Sequence, residues 1–244
     1  MCRHLAYLGR PVALTELLCD APHSLVEQAR HPRHQTSGTA NPDGYGVAWY
    51  DQPGRPRRYR STTPIWADVD LPALAGPVSA PAVLAAARLA SPGAPVEATG
   101  NAPFVAGRHA FSLNGIVDGW QDGAGAALRA SVSPRRRGDI VGVTDAEALF
   151  AIALDHLDRG AAPADALAAV VHTVETRTTG RLNLLLTDGV TVAATACGNS
   201  LFACHRPNGT LIASEPLDDD EGWSRVPDRT VVVATSETLT SAPL

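Results

Sequence analysis

The chain contains no lysine, so all 20 of its basic residues are arginine. That absence excludes a P-loop lysine, a lysine Schiff base, a kinase-type lysine and a Ser–Lys hydrolase pair. Methionine occurs only at position 1, and aromatic residues make up 5% of the chain. No apolar run approaches the roughly 18 residues that a membrane-spanning helix needs. No basic stretch leads into an apolar run near Met1, so no secretory signal is read, and a cytoplasmic protein is the expectation. Positive charge is scarce overall: the net charge is −5. General affinity for nucleic acid is therefore not expected, despite the arginine clusters at 55–60 and 135–137.

Metal-binding patterns are also missing. The four cysteines, at 2, 19, 197 and 204, form no CxxC pair, and no histidine pair has HxxxH or HExxH spacing. The acidic run Asp218-Asp219-Asp220-Glu221 lacks the spacing and glycine of a calcium loop. Neither a metal nor a cofactor is expected, and in a reducing compartment the cysteines read as free thiols.

What is present is a chain of 244 residues, 45% hydrophobic and 18% charged. Such a chain can bury a sizeable core, and residues 1–244 are read as one domain. The apolar spacing predicts a strand over 3–8 stopped by Gly9, and helical segments over 14–20 and 24–31. Ser24 and Glu27 form a capping box for the second of these. A short strand is read over 46–50, irregular chain over 55–81, a strand over 83–89, and another over 109–113 that ends at Asn114-Gly115. A small-residue helix is read over 122–132 and a basic loop over 133–138. Two firmer helices follow, over 145–159 and 164–174, the first introduced by Thr144 and Glu147. Strands over 181–187, 190–197, 201–205, 210–214 and 230–235 close the chain, with Asp188-Gly189 and Asn208-Gly209 as hairpin turns. Strands, two helices and then an antiparallel meander do not alternate as a Rossmann or TIM fold does.

A few residues carry possible chemistry. Cys2 follows the initiator, and a residue that small predicts removal of Met1. Thiol and α-amine then share one residue, and an α-amine titrating at about 7.7–8.0 can take up the thiol proton. By itself, cysteine at position 2 reads first as an accident of sequence. Asn114-Gly115 offers a side-chain amide and a backbone N–H for an oxyanion, or simply a turn. Arg88 closes an apolar strand, where it either clamps a carboxylate or reaches solvent. Asp145 opens a helix, where it either caps the first turn or holds an ammonium group.

In order along the chain stand the N-terminal Cys2, the Arg88-Leu89-Ala90-Ser91 element, Asn114-Gly115 and Thr144-Asp145-Ala146-Glu147. This arrangement resembles the class II glutamine amidotransferase family. The resemblance implies an α+β fold, a four-layer αββα sandwich of the N-terminal-nucleophile type, with two mainly antiparallel sheets flanked by helices. It implies that Cys2 attacks a γ-glutamyl carbonyl, Asn114 and Gly115 form the oxyanion hole, Arg88 holds the substrate α-carboxylate and Asp145 its α-amine. Further segments are similar to a branch that hydrolyses a γ-glutamyl amide in ergothioneine biosynthesis: the start through Gly9, 41–50, 88–97, 102–104, and 213–220 with Trp223. The segment 41–50 places Trp49 near the site.

The family carries His before Asn-Gly, where this chain has Leu113; the oxyanion donors do not require that imidazole. Nothing after the glutaminase-like fold is left to house a synthase, so water is the expected acceptor and the partner a small γ-glutamyl molecule. Self-association into a homo-oligomer is left open. Two rival readings stand beside this one. The first is a glutaminase subunit feeding ammonia to a separate synthase. The second is a non-catalytic binding protein of the same fold.

Overall fold

The structure is a computed structural model, and it describes residues 2–244. Met1, and with it the expected removal of the initiator, lies outside the described residues. The strands are β1 (Arg3–Ala13), β2 (Tyr45–Tyr50), β3 (Pro56–Ser61), β4 (Ser79–Ala87), β5 (Phe104–Ala106), β6 (His109–Val117), β7 (Gly180–Thr187), β8 (Val192–Ala196), β9 (Phe202–Arg206), β10 (Gly209–Ala213), β11 (Ser224–Arg225), β12 (Thr230–Ala234) and β13 (Leu239–Pro243). The helices are α1 (Leu25–Arg30), α2 (Leu71–Ala75), α3 (Gly125–Ser131), α4 (Pro134–Arg137), α5 (Asp145–Asp158) and α6 (Pro163–Glu175).

The strands form two sheets. One runs β11-β9-β10-β1-β4-β2-β3 and the other β13-β12-β8-β7-β6-β5. Neighbouring strands pair antiparallel, as in β1 with β4 and β6 with β7. Side-chain alternation along each strand builds the layers. Leu5 and Tyr7 of β1 face an outer core with Leu25 and Ala29 of α1 and Leu71 of α2. Ala6 and Leu8 of the same strand face the other sheet, against Leu185, Ala194 and Val232. Beyond that second sheet, Phe111, Leu182 and Leu184 meet Leu149 and Phe150 of α5 and Leu167 and Val171 of α6. The rings of Phe111 and Phe150 stack 5.2 Å apart. The order is helices, sheet, sheet, helices, as the family resemblance implies. Many inter-sheet positions are alanine, including Ala6, Ala48, Ala82, Ala110 and Ala194, which lets the sheets pack closely.

Local signals set several boundaries. Ser24 Oγ accepts the Glu27 N–H at 3.5 Å and caps α1. Thr144 Oγ1 accepts the Glu147 N–H at 3.4 Å and caps α5. Four expectations need correction. First, β1 does not stop at Gly9 but runs to Ala13, with its register against β4 shifting between Leu8 and Val12. Gly9 is there because a Cβ would sit 2.2 Å from the Asn208 carbonyl. Second, 55–81 is not irregular throughout: Arg57–Tyr59 belong to the edge strand β3, and α2 follows. Third, 133–138 contains the short helix α4, capped by Ser133 Oγ. Fourth, Asn114-Gly115 does not end a strand. It lies within β6, with Asn114 opposite Asn183 and Gly115 opposite Leu182.

Candidate active site

The two sheets bring their strand ends together around a cavity of about 490 Å³. Cys2 sits at the head of β1, the central strand of its sheet, where Arg3 pairs with Ala87 at the end of β4. Arg88 is the residue that follows β4, so nucleophile candidate and cation candidate arrive side by side. Cys2, Arg88, Gly115 and Asp145 all line the one cavity.

Arg88 is held by its backbone and left open at its tip. Its N–H donates to the Gly44 carbonyl at 2.8 Å, and its own carbonyl accepts the Asp43 N–H at 3.0 Å. Asp43 Oδ2 then accepts the Ala90 N–H at 2.7 Å. The Asn41-Pro42-Asp43-Gly44 turn therefore fixes where Arg88 starts. Gly100 leaves room for the guanidinium, which would come within 2.8 Å of a Cβ there. Arg88 is 8% exposed, yet its partner is the neutral Asn101 Oδ1 at 3.3 Å, and it forms no ion pair among the described residues. A buried cation without a counter-charge is costly, and a ligand carboxylate would remove that cost.

Asp145 lines the same cavity from the first turn of α5. Its Oδ2 accepts the Val117 N–H at 3.0 Å and its Oδ1 the Ala146 N–H at 2.9 Å. Burial pushes this carboxyl up, and the backbone N–H groups of Val117, Ala146 and Asp145 itself, with the Arg88 charge, oppose that rise. The result is an acidic group and a cation on the lining of one cavity.

Gly115 is required by close approach, since a Cβ there would stand 1.7 Å from the Arg181 carbonyl oxygen. Asn114 is completely buried, its carbonyl accepting Asn199 Nδ2 at 2.8 Å. Leu113 points to the cavity side of β6, so an apolar wall occupies the position of the family imidazole.

Trp49 is not brought to the cavity. In β2 the alternation that turns Ala48 and Tyr50 inward turns Trp49 outward, onto the outer core beside Val83 and Trp66. The tryptophan at the cavity is Trp120, whose indole N–H donates to the Val143 carbonyl at 2.9 Å. Asp118 and Asp122 flank it on the lining. No local signal separates Trp120 from Trp49; only strand phase does.

Sequence reasoning also missed a buried charged node behind Cys2. Arg3 Nε donates to the Cys2 carbonyl at 2.8 Å, and Arg3 Nη1 pairs with Glu215 Oε1 at 2.6 Å. Glu215 additionally meets His23 Nε2 at 2.7 Å and accepts the backbone N–H groups of Arg33 and His34 at 2.8 and 2.9 Å. Burial raises the Glu215 carboxyl, but the His23 hydrogen bond, the two backbone donors and the Arg3 charge together outweigh it and hold it at about 2. His4, next along β1, is pushed down to about 3 by burial and the Arg3 charge, and so is neutral.

This node predicts a pH effect. The unfolded Glu215 titrates near 4.5 and the folded one near 2, so the folded state binds fewer protons between them. Its stabilisation is complete above about pH 4.5 and is lost as pH falls through about 2. Glu215→Gln should cost about 3–5 kcal/mol at pH 7 by stranding Arg3. It should also flatten the loss of stability below pH 5. Denaturant unfolding at pH 7 and pH 3 checks this; an unchanged pH dependence would remove Glu215 from the account.

Comparison with known proteins places this geometry. The profile of the family described as "Glutamine amidotransferases class-II" matches residues 13–210. A γ-glutamyl-hercynylcysteine sulfoxide hydrolase of Mycolicibacterium smegmatis is 37% identical over 244 residues, covering 100% of both chains. A protein of the same name from Mycobacterium tuberculosis is 36% identical over 100% of this chain and 97% of its own. Among solved structures, a glutamine aminotransferase class-II domain protein from Silicibacter pomeroyi superposes with a TM-score of 0.70 at 25% identity, covering 99% of each chain. The glutamine phosphoribosylpyrophosphate amidotransferase of B. subtilis superposes with a TM-score of 0.68 at 15% identity, over 99% of this chain and 49% of that one, a likeness of fold. The chain belongs to the class-II glutamine amidotransferase family, cysteine amidohydrolases of the N-terminal-nucleophile type.

Proposed function

We propose that the protein hydrolyses the γ-glutamyl amide of γ-glutamyl-hercynylcysteine sulfoxide, releasing glutamate and hercynylcysteine sulfoxide. The observation that carries this reading is the one cavity lined by Cys2, Gly115, the Asp145 carboxylate and an Arg88 that forms no ion pair among the described residues. Full-length similarity to hydrolases of that name supports the choice of substrate.

In this reading Arg88 takes the substrate α-carboxylate and Asp145 its α-ammonium, which stretches the glutamyl chain toward Cys2. With Met1 removed, the α-amine of Cys2 takes the thiol proton, and Sγ attacks the γ-carbonyl carbon. The developing oxyanion is met by the Gly115 N–H and the Asn114 side-chain amide. The C–N bond breaks as the α-ammonium protonates the departing amine, leaving a γ-glutamyl thioester on Cys2. Water, deprotonated by the same amine, adds to the thioester, and glutamate leaves as the thiol re-forms.

The leaving group lies at the Trp120 end of the cavity. An indole face and the carboxylates of Asp118 and Asp122 suit a quaternary ammonium group. Trp120, not Trp49, is the tryptophan placed beside the leaving group in this reading.

Glutamate release from the sulfoxide, from γ-glutamylcysteine and from glutamine, measured in parallel, tests the reading. Preference for the sulfoxide supports it. Preference for glutamine would move the protein to an ammonia-supplying role, and release from none of the three would withdraw the activity. The base also predicts a pH profile. With an α-amine at about 7.7–8.0, kcat/KM should fall roughly tenfold per unit below about pH 7. A flat profile from pH 5 to pH 9 would exclude the α-amine as base.

A further inference from the structure

Asn114 is completely buried, and its carboxamide is satisfied at one end only. Nδ2 lies 3.2 Å from Ser214 Oγ, while Oδ1 has no partner. Ser214 is itself fixed. Its Oγ accepts the His4 N–H at 3.0 Å, its N–H donates to the His4 carbonyl at 2.9 Å, and its carbonyl accepts Ser200 Oγ at 2.9 Å. A backbone N–H can only donate, so the Ser214 hydroxyl must accept from His4. Its own proton then needs an acceptor, and among the described residues the one side-chain end within reach is that of Asn114.

The two ends of a carboxamide have nearly the same size. A half-turn about Cβ–Cγ exchanges them and leaves every heavy-atom contact in place. With the oxygen toward Ser214, the hydroxyl donates to Oδ1, and both of its valences are used. With the nitrogen toward Ser214, the hydroxyl proton, a buried amide oxygen and one amide hydrogen are unpaired, against only the two amide hydrogens in the other orientation.

We propose that Ser214 sets the working orientation of the Asn114 amide, donating to Oδ1 so that Nδ2 and its two hydrogens occupy the end without a partner. The inference rests on the reading of Asn114 as an oxyanion donor in γ-glutamyl hydrolysis. On that reading, an oxygen at the partnerless end would repel the oxyanion, whereas an NH₂ there stabilises it before the reaction begins. Ser214 touches no reacting atom and acts through Asn114 as a positioning residue. The Asn199 bond to the Asn114 carbonyl fixes the backbone of the same residue, so only the amide rotation is left to be decided.

Two measurements test it. Neutron diffraction from the deuterium-exchanged protein shows directly which end of Asn114 carries deuterons. Deuterons on the end away from Ser214 are expected; deuterons facing Ser214 would overturn the proposal, whatever the substrate. In kinetics, Ser214→Ala should lower kcat about 10- to 100-fold, less than the roughly 10²–10³ lost with an oxyanion donor itself. KM should stay within about threefold. In an Asn114→Ala background the same substitution should have no further effect. An equal loss in both backgrounds would make Ser214 merely structural. Absence of turnover in the wild-type protein on every γ-glutamyl amide would instead fall on the proposed function, and the neutron result would still decide the orientation.

Discussion

Cys2→Ala is expected to lower glutamate release by about 10⁴-fold or more, the scale on which nucleophiles of acyl-transfer enzymes are lost. Substrate binding should persist, because the groups assigned to the glutamyl moiety are elsewhere on the cavity wall, at Arg88 and Asp145. The alanine protein keeps an α-amine at its first residue once Met1 is removed, so loss of activity would be assigned to the thiol and not to the base. Little change in stability is expected. The Cys2 sulfur is only partly buried, and its contact with the Leu89 carbonyl, at 3.9 Å, is long. Calorimetric binding of the sulfoxide to the alanine variant, beside a glutamate-release assay, checks both halves. Turnover near the wild-type rate would end the thioester mechanism.

Arg88→Ala is expected to raise KM by about one to two orders of magnitude, since a charge-assisted hydrogen bond contributes about 1.5–3 kcal/mol. Stability offers a second and less intuitive readout. Removing one partner of a buried ion pair is normally destabilising, but Arg88 forms no ion pair among the described residues, and Asp145 loses only a through-space charge that ranks below burial and its backbone donors. The melting temperature without substrate should therefore hold or rise slightly, while stabilisation by added γ-glutamyl ligand should largely disappear. A KM change below about threefold would remove Arg88 from the substrate site. A large loss of stability in the free protein would recast it as a structural cation.

Much of the fold was legible because it is written locally. Thr144 and Glu147 announce α5, Ser24 and Glu27 announce α1, and Asn208-Gly209 turns β9 into β10, each within four residues of chain. Arg88 and Asp145 could be singled out because a charge beside an apolar run asks for a reason. What could not be read depends on partners distant in sequence. The Asn114-Gly115 dipeptide looks like a turn, and only the Arg181 carbonyl, pressed against Gly115 from the neighbouring strand, shows why glycine stands in mid-strand. The edge strand Pro56–Ser61 carries arginine where a buried strand would carry valine, so its composition hid it. Trp49 was drawn toward the site by its neighbours in sequence and sent to the outer core by the two-residue period of β2. Ser214 and Glu215 lie in the 213–220 segment that carries the resemblance, but nothing local gives either a role. Their importance appears only when β10 is laid beside β1, which places one next to Asn114 and the other against Arg3.

The central claim is a γ-glutamyl thioester on an N-terminal Cys2. It is tested most directly by acid-quenching the enzyme during turnover of the sulfoxide and weighing its N-terminal peptide. The expected peptide begins at Cys2 and carries one γ-glutamyl group, lost on brief treatment with hydroxylamine. A peptide that retains Met1, or an unmodified Cys2 even when single turnovers are sampled on the millisecond scale while glutamate is being released, would contradict it.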